Sequence, residues 1–153
     1  ERFLTLALAQ TPDDPELLLP LGLTRAKLRM YPGAREALLA YVARRDKPAE
    51  AWVTLARACE AVGDLPGAAA ASEKAVAQLP DDAELQLAGG KRLAEAGEHE
   101  KAVPVLERAA TLLPDRAEVH AALGPVPRRG GRGSQRLPAL QIGGTRDPVE
   151  RSA

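Results

Sequence analysis

The sequence predicts an all-α fold, a right-handed solenoid of antiparallel helix pairs. Three observations predict it: a helix-favouring composition, a repeat of about 34 residues, and Gly and Pro residues that recur between the predicted helices. Only 3% of the 153 residues are aromatic, Asn is absent, and Ile142 is the sole isoleucine. Because sandwiches and barrels need many β-branched and aromatic residues, this composition disfavours them.

Small and large apolar residues recur in separate columns at this interval. The columns are Gly22, Ala56, Gly90 and Gly124; Ala34, Ala68 and Ala102; and Leu4, Leu38, Ser72 and Leu106. Two antiparallel helices approach closely only where the facing side chains are small. We therefore expect the Ala and Gly columns at the helix contacts, with Leu residues filling the space around them.

Turn and capping residues place the helix ends. Gly63 and Gly97 are expected to end the first helix of a pair in a left-handed conformation, with Asp64 or Glu98 starting the second. Pro66 fits a first turn, Pro80 and Pro114 stop the second helix, and Asp81 and Asp82 can cap the next one. Pro20 and Pro104 should kink their helices or delay their starts. The predicted helices are 1–11, 16–29, 34–45, 49–62, 66–79, 83–96, 100–113 and a stub at 117–124.

The most complete copy is AEAWVTLARACEAVGDLPGAAAASEKAVAQLPDD, residues 49–82. It resembles the tetratricopeptide repeat, whose pattern W-x2-L-G-x2-Y, A-x3-F and P is matched at Trp52, Leu55, Ala56, Gly63, Asp64, Ala68, Ala75 and Pro80. Cys59 replaces the usual Tyr and Ser72 the usual Phe, which predicts looser packing there. The organisation we predict is a TPR-like array over 1–124, followed by a disordered Arg/Gly/Pro-rich tail over 125–153. The array comprises a partial repeat 1–14, repeats 15–48, 49–82 and 83–116, and a broken repeat 117–124.

The resemblance implies a protein–protein interaction scaffold that binds a peptide or protein in a concave groove, lined by the first helix of each pair. The groove residues would be Leu19, Leu23, Ala26, Lys27, Val53, Arg57, Glu60, Ala61, Leu87, Lys91, Ala94 and Glu95. Arg57 and Lys91 would meet acidic groups, and the mixture suits a partly acidic amphipathic segment. For any single residue, the alternative of a solvated helix face stays open. A clamp for acidic chaperone tails is not expected, because such clamps use Lys and Asn in rows that here hold Leu19, Leu23 and Thr54.

No group of residues points to catalysis, a cofactor or a metal, so we do not expect an enzyme. His99 and His120 have no Cys or carboxylate at zinc spacing. Cys59 has the position of a small apolar filler in a helix contact. Phosphate-binding glycine motifs are missing. A recruiting arm of a larger multidomain enzyme is the alternative function.

Charge and hydropathy limit the kinds of partner that we expect. Lys plus Arg and Asp plus Glu number 21 each, which does not predict a nucleic-acid partner. The alternative is a weak RNA contact through the basic tail, where Arg128, Arg129 and Arg132 lie among glycines. The longest apolar runs are too short to cross a bilayer, so membrane insertion is not expected. We expect a cytoplasmic location, with the periplasm open if a signal peptide precedes Glu1.

Three further expectations concern the source of the chain and the ends of the array. The GC-type composition of the sequence favours a bacterial source and a fragment of a longer array. The tail, which starts where an in-register repeat stops, is interpreted either as a frameshift artefact or as a flexible basic linker. Half-finished repeats should expose Phe3, Leu4 and Leu8 at one end and Val103, Leu106 and Leu113 at the other, which predicts marginal stability or self-association.

Overall fold

The computed structural model describes residues 1–12, 14–45 and 48–127, and within these ranges it forms eight α-helices and no strand. The helices are α1 (Arg2–Gln10), α2 (Pro15–Lys27), α3 (Tyr31–Val42), α4 (Ala49–Ala61), α5 (Leu65–Gln78), α6 (Ala83–Glu95), α7 (His99–Leu112) and α8 (Ala117–Leu123). The all-α prediction is confirmed, and the predicted helices are found with small shifts at their ends. The largest shift is that of α3, predicted at 34–45, which begins at Tyr31 and ends at Val42; its early start is possible because Pro32 is accommodated in the first turn. The predicted tail beyond Pro127, with its two interpretations, lies outside the described residues.

The helices pack in chain order. Three pairs form, α2 with α3, α4 with α5 and α6 with α7, and consecutive pairs are joined through α3 against α4 and α5 against α6. The outer helices α1 and α8 pack on α2 and α7. Buried apolar residues accordingly form separate clusters along the chain, one around Leu38 and Leu55, one around Leu93 and Leu106, and a small one at Ala75. This succession of neighbour contacts is the arrangement of a solenoid.

Within a pair, the two helices meet through a small residue and a large one. A β-carbon added at Gly22 would lie 2.6 Å from Leu38 Cγ, and one added at Gly90 would lie 2.6 Å from Leu106 Cγ. Real β-carbons do not approach other atoms so closely, so glycine is required at both contacts. In the middle pair the same two columns hold Ala56 and Ser72, each 1% exposed. Where the first column holds the larger Ala56 in place of Gly, the second column therefore holds the smaller Ser72 in place of Leu.

Left-handed turns recur between the helices of each pair. Gly63 has φ 80° and Gly97 has φ 82°, which confirms the predicted helix ends. Arg29 occupies the corresponding position of the first pair with φ 58°. The sequence did not predict this turn, because a non-glycine residue seldom adopts that conformation.

Aspartate caps several of the helices. The Asp64 carboxylate accepts a 2.9 Å hydrogen bond from Gly67 N at the start of α5, and Asp82 accepts one of 3.0 Å from Leu85 N at the start of α6. Glu98 is the N-cap residue of α7 at the predicted position, but its side chain makes no capping hydrogen bond and lies 3.8 Å from Lys101. Aspartate is the better cap because its shorter side chain reaches the backbone N–H groups with less bending.

The prolines inside the predicted helices do not delay the helix starts. Pro20 lies inside α2, which begins at Pro15, and Pro104 lies inside α7, which begins at His99. Pro66 lies in the first turn of α5, as the sequence predicts. At Pro66 the missing N–H would have no partner within the helix, whereas Pro20 and Pro104 lie beyond the first turn and each removes one backbone hydrogen bond.

Ion pairs connect each helix pair to the next element along the array. They join Arg35 to Asp64, Glu60 to Arg92, Glu73 to Lys101, Asp81 to Arg108, Glu84 to Arg116 and Lys91 to Glu118. The partners are 27 to 32 residues apart, close to one repeat. Opposite charges therefore align when neighbouring repeats stack.

The C-terminal end does not match the exposure that the sequence predicts. Leu106 is fully buried, and Val103 and Leu113 are partly buried against the same cluster. The reason is that α8 and the segment after it fold back, which buries Val119 and Val126 as well. At the other end Phe3 is 82% exposed, whereas Leu8 packs against the first cluster.

Candidate interaction surface

The residues predicted to line a groove lie on the first helices of the three pairs, α2, α4 and α6. We call the solvent-facing side of these helices the first-helix face. α2 contacts α4 directly, and α6 contacts α8. The face is therefore built from helices of successive repeats that lie side by side.

A hollow of about 170 Å³ opens where α2 meets α4, and we call it the α2–α4 hollow. Its lining residues are Leu23, Ala26, Lys27, Tyr31, Glu50, Thr54 and Arg57. The structure thus brings together Leu23, Ala26, Lys27 and Arg57 from the predicted set. Sequence reasoning missed Glu50 and Tyr31 as site residues. Glu50 and Thr54 lie seven and three residues before Arg57, so helical spacing was a signal that could have found them.

The charged groups of the α2–α4 hollow make no ion pairs with any described residue. Lys27, Arg57 and Glu50 are all exposed to solvent. The ion pairs that join successive repeats involve other side chains, such as Arg35 with Asp64 and Arg92 with Glu60. The hollow consequently presents two cations and one carboxylate to whatever occupies it.

Lys91, the predicted groove cation on α6, forms an ion pair within the chain. Lys91 Nζ lies 2.9 Å from Glu118 Oε1, and the hydrogen bond from Lys91 lowers the pKa of the Glu118 carboxyl. Glu60 of α4 accepts a hydrogen bond of 2.8 Å from Arg92, whose side chain is only 13% exposed. The acidic group that Lys91 meets is thus Glu118 of the same chain. Sequence reasoning missed this pairing because the partners are 27 residues apart.

The predicted apolar track is interrupted. Leu87 is only 3% exposed and belongs to the core around Leu106, so it does not line a surface. Leu19 lines a different hollow, of about 360 Å³, together with Pro20 and Tyr41. Val53 is half-buried, and Glu95 is exposed near the end of α6. Of the apolar residues in the predicted set, Leu23 and Ala26 line the α2–α4 hollow.

Cys59 and His120 are residue types that can act as nucleophiles or bind metals, but here they make ordinary structural contacts. Cys59 is 1% exposed, and burial raises the pKa of its thiol, which keeps it protonated. His120 Nε2 lies 2.9 Å from the carbonyl oxygen of Pro114. Among the described residues, no group of three or more His, Cys, Asp or Glu side chains is arranged to hold a metal ion.

At the boundary between the first two pairs, Asp64 acts both as a helix cap and as an ion-pair partner. Its carboxylate caps α5 and also receives two hydrogen bonds from Arg35, the shorter one 2.6 Å long. The backbone hydrogen bond from Gly67, and then the Arg35 guanidinium, lower the pKa of Asp64. Because this contact positions α3 against the α4–α5 turn, it helps to hold α2 beside α4.

Comparison with known proteins identifies the class. Residues 48–92 match the model of the tetratricopeptide repeat family. The crystal structure of MamA protein superposes with a TM-score of 0.67 at 26% identity, covering 80% of this chain and 67% of MamA. Among curated proteins, no sequence matches significantly. The chain is an α-helical solenoid of the tetratricopeptide type.

Two more distant structures share the fold. One is the Yersinia enterocolitica type III secretion chaperone SycD in complex with a peptide of the translocator YopD. It has a TM-score of 0.55 at 17% identity and covers 71% of this chain and 88% of that one. The other is the Arabidopsis OM64 TPR domain, with a TM-score of 0.56 at 16% identity, covering 71% and 90%. At this identity the likeness extends to the fold alone.

Measured by length and hydropathy, each helix within the described ranges falls short of what a bilayer-crossing helix needs. Helices in this part of the chain have at most 14 residues, and a span requires about 20 apolar residues.

Proposed function

We propose that the chain is a scaffold that binds a peptide or protein partner on the first-helix face, and that it has no catalytic activity of its own. The observation that supports this most is the α2–α4 hollow, where Lys27, Glu50 and Arg57 have no ion-pair partner among the described residues. Elsewhere, cations such as Arg35 and Arg92 are paired across the repeats. Charged groups left for solvent at a seam between helices are what a recognition surface requires.

The comparisons support the same function at the level of the fold. SycD was solved with a peptide of YopD bound, so a solenoid of similar shape holds a peptide in at least that protein. In this chain the equivalent helices α2, α4 and α6 offer neighbouring surfaces on which an extended or helical segment could lie.

The proposal is tested by site-specific photo-crosslinking in an extract of the source organism. A photoreactive phenylalanine derivative at Ala61, which is exposed on α4, should form adducts with one or a few partners. The matched control places it at Ala77, which is exposed on α5. Equal adducts from both positions, or adducts from Ala77 alone, would contradict the proposal.

A further inference from the structure

We infer that the α2–α4 hollow receives one aspartate or glutamate side chain from within a bound peptide, next to an apolar side chain of the same peptide. This inference rests on the proposed function and adds the chemical group that the first-helix face recognises. Three observations carry it: the net charge of the hollow, its size and apolar lining, and the paired state of the cations on α6.

The charges fit a single carboxylate. Lys27 of α2 and Arg57 of α4 line the hollow together with Glu50 of α4, which leaves one positive charge in excess. A carboxylate, with one negative charge, neutralises that excess. A phosphorylated side chain has a charge of about −1.5 to −2, so it would exceed the positive charge and be repelled by Glu50. The hollow therefore favours Asp or Glu over a phosphorylated residue.

The lining also accommodates an apolar neighbour. Leu23 and Ala26 of α2 and the Tyr31 ring contribute apolar surface beside the two cations. The volume of about 170 Å³ is below the roughly 300 Å³ at which small-molecule pockets begin, so the hollow suits one or two side chains better than a whole cofactor. An acidic residue followed or preceded by an apolar one satisfies both parts of the lining.

The position of the hollow favours an internal residue over a chain terminus. It reaches Tyr31 at the start of α3, and on the other side the Glu60–Arg92 ion pair joins α4 to α6. A peptide seated in the hollow thus has protein surface on both sides. The α6 cations Lys91 and Arg92 are already paired with Glu118 and Glu60, so they do not compete for the acidic side chain.

The test is a selection of displayed peptides of random sequence, with Gly/Ser flanks on both sides, on the full chain. The selected peptides should share an Asp or Glu beside an apolar residue. Lys27→Glu combined with Arg57→Glu should weaken their binding about tenfold, since attraction at two contacts becomes repulsion. Lys74→Glu, an exposed charge reversal on α5, should leave the affinity unchanged. Circular dichroism confirms that the variants fold.

A second variant separates carboxylate from phosphate recognition. Glu50→Gln removes the repulsion, so a selected peptide with phosphoserine in place of its acidic residue should bind this variant better than it binds the unmodified chain. Tighter binding of the phosphoserine peptide to the unmodified chain would overturn the inference.

The outcomes distinguish this inference from the proposed function. Peptides that bind the first-helix face without any acidic preference, and that tolerate the Lys27 and Arg57 reversals, would overturn the inference and leave the scaffold function standing. A bulky substitution at Ala61 should weaken the binding of such peptides, which identifies the first-helix face as their binding site. Peptides that bind only elsewhere on the chain would overturn both. A second library, in which the random segment ends in a free carboxyl terminus, tests the choice of an internal residue: an acidic consensus that appears only in this second library would overturn that choice.

Discussion

The C-terminal end of the array buries its apolar side chains, whereas the N-terminal end leaves them in solvent. At the C-terminal end Val119 of α8 is fully buried and Val126 is 6% exposed. At the N-terminal end α1 has no buried residue, and Phe3 and Leu6 are 82% and 69% exposed. A repeat can bury its faces only against neighbours, so the difference depends on whether a further element covers the last pair.

Within the described residues, one short helix and the segment after it cover the last helix pair. α8 has only seven residues, yet it covers α7 and contacts α6. The chain then turns at Pro125, and Val126 N donates a 3.4 Å hydrogen bond to the carbonyl oxygen of Leu123. In this part of the chain, Val119 and Val126 supply the buried side chains that cover the last pair.

Replacing Val119 should have the largest effect, because it is the most buried residue of the closing helix. Val119→Asp places an unpaired charge in the second cluster and should lower the free energy of unfolding by about 3 kcal/mol or more. Urea denaturation followed by circular dichroism measures the change. Ala121→Asp, on the exposed side of α8, is the matched control. Equal losses for the two variants would show that α8 does not seal the array.

Val126 tests whether the segment after α8 contributes. Val126→Ala removes buried methyl groups and should cost about 1 kcal/mol, because the segment can partly collapse into the space. Hydrogen exchange should show faster exchange in α7 and α8 but not in α2 and α3. If the exchange of α7 does not change, closure belongs to α8 alone.

Replacing Asp64 tests the contact between the first helix pair and the middle pair. Its pKa is lower in the folded chain than in the unfolded one, so its contribution to stability is present above about pH 4 and is lost as the pH falls through the lowered value. Asp64→Asn keeps a capping oxygen but removes the charge that Arg35 contacts. The variant should lose less stability than the unmodified chain between about pH 5 and pH 2.

The measurement is urea denaturation across this pH range, with Asp81→Asn as the control. Asp81 pairs with Arg108 and is largely exposed, so its replacement should change the pH dependence little. If Asp64→Asn and the unmodified chain lose stability in parallel as the pH falls, the pairing with Arg35 contributes nothing.

Phe3 should give the smallest effect on stability. Phe3→Ala is expected to change the free energy of unfolding by less than about 0.5 kcal/mol, because the ring is already in water. We propose that self-association, if the chain shows it, proceeds through this end. Phe3→Glu should then reduce the mass measured by sedimentation equilibrium, whereas Ala9→Glu, an exposed position of α1, should not. A large loss of stability in Phe3→Ala would contradict the contrast between the ends.

The sequence predicts those parts of the fold that depend on local patterns. The turns at Gly63 and Gly97 and the cap at Asp64 follow from residue types a few positions apart. The turn at Arg29 was missed, because a left-handed arginine is set by the repeat around it and not by its own preference. Closure by Val126 was missed for a similar reason, since two flanking prolines indicate the end of a helix but not where the chain goes next.

The candidate site was predictable only in part. Helical spacing placed Leu23, Lys27 and Arg57 on the correct helices, and the structure brings them to one hollow. The same spacing placed Leu87 on the surface, although it is buried by the next pair. Whether a residue on a helix faces solvent or the neighbouring repeat depends on stacking, which one sequence does not reveal.

The helix pairs are equivalent units whose contact holds one small and one large residue, or two of intermediate size. A double-mutant cycle in the third pair tests this equivalence most directly, with Gly90→Ala and Leu106→Ser converting that contact to the Ala56 and Ser72 arrangement of the middle pair. Each single change should destabilise the chain, and the double variant should be more stable than additivity predicts by at least about 1 kcal/mol. Strictly additive losses would contradict the claim, since they would mean that the two positions do not share one space.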